Sequence, residues 1–214
     1  MKVFGKKPFL PKLVLLDRDG VVNKDVGSPG VTCVKQLQLI PNAATAIGDL
    51  KRSGCNVALI TNQSCVGKGL LSEFGLVEIH NLLQDMLCHD DSDAVLDNIY
   101  VCTSTKDRND PRMKPNPGMI IEACNDFQIS PENSVFIGDT LTDMQAAFSG
   151  GVPTRILVET GYGIGLMNGI SASEPPAQIE NIENELSTVT PFLYAPNLYS
   201  AVQWLTSNDV IGTK

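Results

Sequence analysis

Short, unbroken apolar runs recur along the chain and are separated by longer stretches with a different spacing. The runs lie at positions 13–16, 57–60, 99–101, 135–137 and 156–158, the last of them preceded by Arg155. A continuous apolar run of this length is typical of a strand that is buried on both faces of a parallel sheet. The pattern therefore predicts five strands, of which the first two are expected to be buried.

The stretches between the runs carry apolar residues at helical spacing. Pro41 opens one such pattern, which continues through Ile47 and Leu50 and stops at Gly54. Three further patterns lie at 76–86, 120–127 and 142–148. Because strands alternate with helices and parallel crossovers are right-handed, we expect an α/β fold. The expected architecture is a doubly wound, Rossmann-like, mostly parallel sheet with helices on both faces.

The pattern changes in the C-terminal quarter of the chain. Residues 167–188 contain Pro175, Pro176 and four glutamates without an apolar period, which predicts a flexible insertion. Residues 192–196 then predict a last edge strand, and residues 198–205 predict a closing helix. We expect one domain over 1–214, with its core at about 12–162 and 190–207.

Composition narrows the possible functions. The chain has 214 residues, of which 43% are hydrophobic and 19% are charged, so it can build a sizeable core. Its net charge of −8 disfavours a nucleic-acid partner. No apolar run approaches the roughly 18 residues that a membrane span needs, so we expect no membrane partner.

Six cysteines lie in apolar segments and none forms a CxxC pair. Reduced, mostly buried thiols are expected, which is typical of a cytoplasmic protein. We also expect a monomer. The two histidines, His80 and His89, are interpreted as surface or helix-capping residues.

Polar and charged residues follow the predicted strands. Ligands of doubly wound sheets bind at the carboxyl ends of the strands, so these residues are the candidates for chemistry. They comprise four acids, a hydroxyl, an amide and one lysine: Asp17, Asp19, Thr61, Asn62, Lys114, Asp139 and Asp143.

This set of residues suits phosphoryl transfer. Carboxylates at close quarters repel one another, and a bound Mg²⁺, which prefers carboxylate oxygens, removes the conflict. One carboxylate can act as a nucleophile that forms an aspartyl-phosphate, and a second can act as general acid and then as general base. The lysine and the metal ion offset the charge of the phosphoryl group.

Four motifs resemble those of the haloacid dehalogenase superfamily of phosphohydrolases and occur in the same order. LLDRDGVVN at Leu15–Asn23 resembles the first, and LITNQS at Leu59–Ser64 resembles the second. Lys114 in MKPNPGM resembles the third, and IGDTLTDMQAA at Ile137–Ala147 is similar to the fourth.

The resemblance implies a role for each matching position. Asp17 would be the nucleophile, Asp19 the general acid and base, Thr61 a phosphoryl contact and Lys114 the neutralising cation. The implied Mg²⁺ ligands are Asp17, Asp19 through its backbone carbonyl, Asp139 and, in support, Asp143. The remaining substrate-binding candidates are Asn62, Gln63, Lys68 and Arg112.

Within the superfamily, the motifs look like those of histidinol-phosphate phosphatases and D-glycero-D-manno-heptose-1,7-bisphosphate 7-phosphatases. The short spacings between the motifs leave no room for a large cap domain. That group often carries a zinc-binding loop, but here Cys102 is followed by Ser104 at the histidine position and no cysteine lies between Cys102 and Lys114. We therefore expect Mg²⁺ and no zinc. Met113 stands where the group has an arginine, with Arg112 one place earlier.

Three functions remain open at this point. The first is a Mg²⁺-dependent phosphomonoesterase for a small phosphorylated metabolite, such as D-glycero-D-manno-heptose 1,7-bisphosphate or histidinol phosphate. The second is a polynucleotide 3′-phosphatase, which the net charge of −8 disfavours. The third is a non-catalytic phosphate-binding protein, which the presence of every motif residue disfavours.

Overall fold

Seven strands form one sheet in the computed structural model, which describes residues 10–207. The strands are β1 (Leu13–Leu16), β2 (Asn56–Asn62), β3 (Asn98–Cys102), β4 (Ser134–Gly138), β5 (Thr154–Val158), β6 (Ala177–Ile179) and β7 (Phe192–Ala195). Their order across the sheet is β3-β2-β1-β4-β5-β7-β6. All neighbouring strands are parallel except β6, which runs antiparallel to β7.

Strand β1 lies between β2 and β4, and the candidate site residues lie at the carboxyl ends of these three strands. Leu13 pairs with Asn56 of β2 on one side and with Ser134 of β4 on the other. All four side chains of β1 are fully buried, because helices cover both faces of the sheet. This explains why the sequence of β1 is continuously apolar rather than alternating.

Seven α-helices lie between or after the strands within the described residues. They are α1 (Ala43–Arg52), α2 (Ser64–Gly67), α3 (Glu73–Asp90), α4 (Gly118–Asp126), α5 (Leu141–Ser149), α6 (Gly163–Leu166) and α7 (Leu198–Thr206). Capping side chains and glycines in the sequence explain where helices begin and end. The Ser72 side chain accepts a hydrogen bond from Gly75 N–H at the start of α3, and Gly54 adopts a positive φ just after α1.

The sheet separates two hydrophobic cores. Ile47 of α1, Ile79 of α3 and Ala201 of α7 pack on one face, together with Val14 and Leu16 of β1. Helices α4 and α5 cover the other face, which Leu13 and Leu15 of β1 share. Helices on both faces of a mostly parallel sheet confirm the predicted fold class, and no large cap domain interrupts the sheet between residues 10 and 207.

The C-terminal part of the sheet differs from the prediction. Residues 192–196 were expected to form the edge strand, but β7 lies between β5 and β6, and β6 is the edge. The segment 167–188 supplies β6 and buries Met167 and Leu186 in the second core. A strand of three residues beside two prolines has no readable period, so the sequence could not reveal it. The flexibility of this segment stays a prediction, as do the domain limits, whose outermost residues lie outside the described range.

Within residues 10–207, no helix is both long enough and apolar enough to cross a membrane.

Candidate active site

A cleft opens at the carboxyl ends of β1, β2 and β4. It is lined by Asp17, Asp19, Asp25, Thr61, Asn62, Lys114, Asp139, Thr140, Thr142 and Tyr162. Six of the residues predicted from the strand ends therefore meet in one place. Asp143, the seventh, lies fully buried behind them.

Lys114 is the buried cation at the base of the cleft. Its Nζ lies 2.9 Å from Asp17 Oδ1 and 2.5 Å from Asp143 Oδ1. It also donates a hydrogen bond of 2.9 Å to the carbonyl oxygen of Ile60. Burial alone would lower the pKa of Lys114, but the two carboxylates outweigh it and raise the pKa. Lys114 is therefore a fixed positive charge at any pH near neutrality.

Asn62 fixes the backbone of Lys114. Its Nδ2 donates to the Lys114 carbonyl oxygen at 3.0 Å, and its Oδ1 accepts from the Lys114 N–H at 3.1 Å. These bonds tie the end of β2 to the loop before α4. Both polar atoms of the Asn62 amide are therefore hydrogen-bonded to the Lys114 backbone, although Asn62 still borders the cleft.

Asp17, Asp139 and Asp143 form an acidic trio whose ligand atoms lie within 4.8 Å of one another. Burial, and then the charge of Asp143, raises the pKa of Asp17 to about 7, although Lys114 opposes the rise. Burial and the charges of Asp17 and Asp143 raise the pKa of Asp139 to about 9. Three ionised carboxylates carry more negative charge than one lysine offsets, so without a bound cation the trio favours the uptake of protons.

The trio fits a small divalent cation. Asp139 Oδ2 accepts a hydrogen bond of 2.9 Å from the Tyr162 N–H, while the buried Oδ1 has no partner among the described residues. An unsatisfied carboxylate oxygen beside a second carboxylate, with excess negative charge, is what an oxygen-ligated Mg²⁺ site provides. Asp17 and Asp139 are the side chains that would hold the ion.

Asp143 has a different task from the other two members of the trio. Its Oδ2 accepts hydrogen bonds from the Asp139 N–H at 3.2 Å, the Thr140 N–H at 3.0 Å and the Thr140 hydroxyl at 2.7 Å. The Thr140 hydroxyl in turn accepts from the Asp143 N–H, which completes a capping box at the start of α5. Asp143 therefore anchors the loop that carries Asp139 and pairs with Lys114.

Two glycines let the loops approach Asp139. Gly20 has φ +80° and Gly161 has φ +64°, and a Cβ atom at either position would collide with the Asp139 carboxylate. The Thr160 hydroxyl donates a hydrogen bond of 2.6 Å to the Gly20 carbonyl oxygen, which holds the loop after β5 against the loop after β1. The positive φ angles explain why glycine occupies both positions.

Asp19 is bound through both of its carboxylate oxygens. Arg18 Nη2 donates to Oδ1 and Oδ2 at 3.1 and 2.9 Å, Asn23 Nδ2 donates to Oδ1 at 2.8 Å, and Gln63 Nε2 donates to Oδ2 at 2.9 Å. Burial acts to raise the pKa of Asp19, but the charge of Arg18 and these hydrogen bonds outweigh it and lower the pKa. The side chain keeps 21% of its surface exposed to the cleft.

Three predicted substrate-binding residues lie outside the cleft lining. Gln63 is buried, with both ends of its amide hydrogen-bonded to neighbouring side chains. Lys68 is exposed at the end of α2. Arg112 Nε lies 2.8 Å from Glu122 Oε2 in a surface ion pair, and Met113 is buried in the core. Their roles toward a substrate stay predictions.

The residues after Cys102 form a loop held by polar side chains. The Ser104 hydroxyl donates to the Asp110 carboxylate, whose other oxygen accepts the Arg112 N–H at 2.8 Å. Within residues 10–207, the acidic trio is the one group of three or more possible metal-ligating side chains that come this close. That zinc is not used stays a prediction.

Several residues of the site were missed from the sequence. Asp25, Thr140, Thr142 and Tyr162 line the cleft, and Tyr162 could have been found by applying the strand-end argument to the fifth apolar run. His80, interpreted as a surface or capping residue, is half-buried with its Nε2 3.2 Å from Arg18 Nη1, so that interpretation is wrong. Arg18 itself lies between two motif acids, which was the available clue.

The chain matches the sequence profile of haloacid dehalogenase-like hydrolases over residues 17–151. This match covers more than half of the chain and includes the acids, the threonine and the lysine to which the motifs assign roles. The chain belongs to the haloacid dehalogenase-like hydrolase family. The predicted resemblance is thereby confirmed.

Relatives of this hydrolase carry phosphatase names. D-glycero-beta-D-manno-heptose-1,7-bisphosphate 7-phosphatase of Haemophilus ducreyi is 32% identical over 189 residues, which are 85% of this chain and 98% of that protein. D-glycero-D-manno-heptose-1,7-bisphosphate 7-phosphatase of Thermosynechococcus vestitus is 34% identical over 184 residues, which are 79% and 90% of the two chains.

A solved structure agrees with this relationship. D,D-heptose 1,7-bisphosphate phosphatase from B. bronchiseptica, complexed with magnesium and phosphate, matches with a TM-score of 0.76 at 27% identity. The match covers 91% of this chain and 97% of that one. The hydrolase described here is therefore an enzyme of the phosphatase class, as the sequence predicted.

Proposed function

We propose that this hydrolase is a Mg²⁺-dependent phosphomonoesterase that acts through an aspartyl-phosphate on a small phosphorylated metabolite. The observation that carries the proposal is the position of Asp17, whose Oδ1 is paired with buried Lys114 while its carboxylate borders the cleft. A nucleophile held by a fixed cation, next to a second acid, is the arrangement that phosphoryl transfer needs.

The Asp17 and Asp139 carboxylates and the backbone carbonyl of Asp19 would hold the metal ion. When bound, Mg²⁺ would offset the charge of the trio and polarise an oxygen of the phosphoryl group. Asp143 supports this centre by fixing the Asp139 loop and Lys114. The magnesium in the related B. bronchiseptica structure supports this assignment.

Formation of the intermediate would use the side chains already in place. Lys114 Nζ and the Arg18 N–H both bind Asp17 Oδ1, so Oδ2 is the oxygen that attacks the phosphorus. A phosphate group that enters the cleft adds negative charge beside Asp19 and would oppose the lowering of its pKa, so that Asp19 would be protonated in the substrate complex. As the ester P–O bond breaks, the Asp19 carboxyl group gives its proton to the leaving oxygen, and an alcohol departs. Thr61 and Lys114 would hold the phosphoryl oxygens during this step.

Hydrolysis of the intermediate reverses the role of Asp19. A water molecule attacks the phosphorus, and the Asp19 carboxylate takes one of its protons as the new P–O bond forms. The bond between phosphorus and the Asp17 oxygen breaks, which releases inorganic phosphate. Asp17 returns to its carboxylate and Asp19 to its protonated form, so the enzyme is ready for another substrate.

A sugar phosphate is the substrate class that we propose. D-glycero-D-manno-heptose 1,7-bisphosphate is the first candidate, because two relatives are named as 7-phosphatases of this kind of heptose bisphosphate. Histidinol phosphate is the second candidate, from the resemblance of the motifs. The cleft lining contains four acids, Asp17, Asp19, Asp25 and Asp139, against a single cation, Lys114. This charge disfavours a polynucleotide. We further propose a cytoplasmic monomer.

Phosphate release across a substrate panel tests the proposal. The panel contains the heptose bisphosphate, histidinol phosphate, other sugar phosphates and a 3′-phosphorylated oligonucleotide, each with Mg²⁺ and with a chelator. The Asp17→Asn variant is the control, because an amide cannot act as the nucleophile. We expect one sugar phosphate to exceed the others in kcat/KM by at least about a hundredfold, or about 2.7 kcal/mol.

Each other outcome points elsewhere. Preference for the oligonucleotide would replace the metabolite by a nucleic-acid substrate. Activity that persists in Asp17→Asn or in the chelator would contradict the mechanism. Phosphate binding without any turnover would indicate a non-catalytic phosphate-binding protein.

A further inference from the structure

The Arg18 side chain is completely buried although it carries a charge. Its Nη2 binds both oxygens of Asp19 and donates to Gln63 Oε1 at 3.0 Å. Its Nη1 donates to His80 Nε2 at 3.2 Å. Burying a guanidinium is costly unless it is paired and hydrogen-bonded, so a buried arginine with this set of partners has a specific task.

Gln63 connects Asp19 to the end of β2. Its Oε1 accepts from Arg18, and its Nε2 donates to Asp19 Oδ2 and to Thr61 Oγ1, each at 2.9 Å. The side chain is 2% exposed and does not line the cleft. Because both ends of the amide are engaged within the protein, Gln63 is placed to orient its neighbours rather than to bind substrate directly.

His80 supports Arg18 from helix α3. A guanidinium has donors but no acceptor, so the contact requires His80 Nε2 to accept and the ring proton to reside on Nδ1. Burial and the charge of Arg18 lower the pKa of His80 to about 4, which agrees with a neutral ring. His80 does not belong to the cleft lining, so it acts on the site only through Arg18.

We propose that Arg18, Gln63 and His80 are positioning residues that fix the Asp19 carboxyl group for proton transfer to the leaving oxygen of the substrate. The inference rests on the proposed phosphatase function. It goes beyond it by giving Gln63 a role other than substrate binding and by extending the functional site to a histidine on α3.

The geometry leaves Asp19 able to act. A carboxylate offers about four lone-pair sites. Arg18 Nη2 has two hydrogens for three acceptors, so one goes to Gln63 Oε1 and the other is shared by the two Asp19 oxygens. Asn23 donates one hydrogen to Oδ1 and Gln63 donates one to Oδ2. Three donated hydrogens leave one of the four sites for the proton that Asp19 transfers. The carboxyl group therefore has one orientation relative to the cleft. When His80 no longer holds Arg18, the guanidinium can rotate, and Asp19 loses its fixed orientation.

Loss of this orientation has a specific kinetic signature. An alkoxide leaves poorly without a proton, so cleavage of a sugar phosphate depends on the Asp19 proton. Nitrophenolate leaves readily without one, so cleavage of p-nitrophenyl phosphate does not. The value of kcat/KM covers the steps up to the aspartyl-phosphate, so hydrolysis of that intermediate, which all substrates share, does not affect it.

The test compares kcat/KM for p-nitrophenyl phosphate with kcat/KM for the best sugar phosphate of the panel. The key variant is His80→Ala, and His80→Gln should restore function because its amide oxygen can accept the Arg18 bond. His89→Ala is the matched control, since the same substitution falls on the same helix at an exposed residue. Gln63→Leu is a second, independent variant.

General acid catalysis contributes about 10²–10⁴-fold, so partial loss of orientation should lower the sugar-phosphate rate about tenfold more than the nitrophenyl rate. We expect this selective loss in His80→Ala and Gln63→Leu, with near wild-type ratios in His80→Gln and His89→Ala. A merely structural role would lower kcat/KM for both substrates by the same factor, because a smaller fraction of the enzyme would be folded. Thermal unfolding measures that fraction. That equal loss, or an unchanged ratio, would overturn the inference.

The wild-type enzyme separates this inference from the proposed function. If it shows no Asp17-dependent turnover of either substrate, the proposed function fails and the inference fails with it. If it turns over both substrates and the ratio does not respond to His80→Ala, only the inference fails.

Discussion

Replacing Asp139 by asparagine is expected to stabilise the Mg²⁺-free protein and to abolish its response to Mg²⁺. The buried Asp139 carboxylate faces the charges of Asp17 and Asp143. In the variant, the amide oxygen can keep the hydrogen bond from the Tyr162 N–H. The amide NH₂ then takes the place of the unpartnered Oδ1 and can donate to the neighbouring carboxylates.

The magnitude follows from the spacing of the trio. Two charges 4.8 Å apart repel by about 3.5 kcal/mol at an effective dielectric constant of about 20. Lys114 offsets part of this repulsion, and protonation of Asp139 limits the remainder, which leaves a gain of about 2 kcal/mol. For a chain of this length, that gain raises Tm by about 4–8 °C.

Calorimetry in EDTA and in Mg²⁺ measures both effects. At a concentration one hundred times Kd, Mg²⁺ stabilises a one-site protein by about 2.7 kcal/mol, or about 5–11 °C here. We expect this rise in the wild type and none in Asp139→Asn. Asp25→Asn is the control, because it makes the same chemical change in the same cleft outside the trio.

If Asp139→Asn has a lower Tm in EDTA than the wild type has, the reasoning about charge repulsion is refuted. A Mg²⁺-dependent rise that survives in Asp139→Asn would show that the ion binds elsewhere. Loss of the rise in Asp25→Asn would show that the response depends on the total charge of the cleft and not on the trio.

Three further predictions concern the parts of the fold that support the site. As the pH falls from 6.5 toward 4, the unfolded chain takes up a proton at His80 before the folded chain does. The free energy of unfolding of the wild type should therefore fall by at most about 3 kcal/mol more than that of His80→Gln. Urea denaturation at pH 7 and 4.5 measures this, and equal losses would contradict it. Arg155→Met should cost about 2–4 kcal/mol, because the buried guanidinium binds carbonyl oxygens of two loops, whereas Arg112→Met at the surface should cost less than about 1 kcal/mol. Similar costs for the two variants would refute that argument. Gly161→Ala should weaken Mg²⁺ binding in a calorimetric titration, since its Cβ meets the trio, and Gly165→Ala, with open space around it, should not; equal affinities would remove the steric argument.

The sequence predicted the cleft because the parallel sheet brings the ends of its strands together. Asp17 and Asp139 follow β1 and β4, and Thr61 is the last residue but one of β2. Their meeting needs only the strand order and the right-handed crossovers. The apolar runs were readable for the same reason, because both faces of these strands are buried. Motif residues on buried strands were therefore the predictable part of the molecule.

Other features depend on contacts that no local pattern encodes. His80 lies at helical spacing from Leu76 and Leu83, which places it beside the apolar face of α3, but nothing in the sequence shows that Arg18 approaches it. Arg112 was expected near the substrate, but Glu122 of α4 pairs with it. Strand β6 exists because β7 offers it an edge, which is a tertiary effect that overrides weak local preference.

The pairing of β1 with β4 has a consequence for the chain as it leaves the ribosome. Leu13 cannot pair with Ser134 until the ribosome has synthesised the residues between them. At about 5–20 residues per second, this takes about 6–24 s. During that time, one edge of a completely apolar strand has no partner. A nascent chain stalled before β4 would expose this edge to other chains, so protection from aggregation is needed during synthesis rather than after folding.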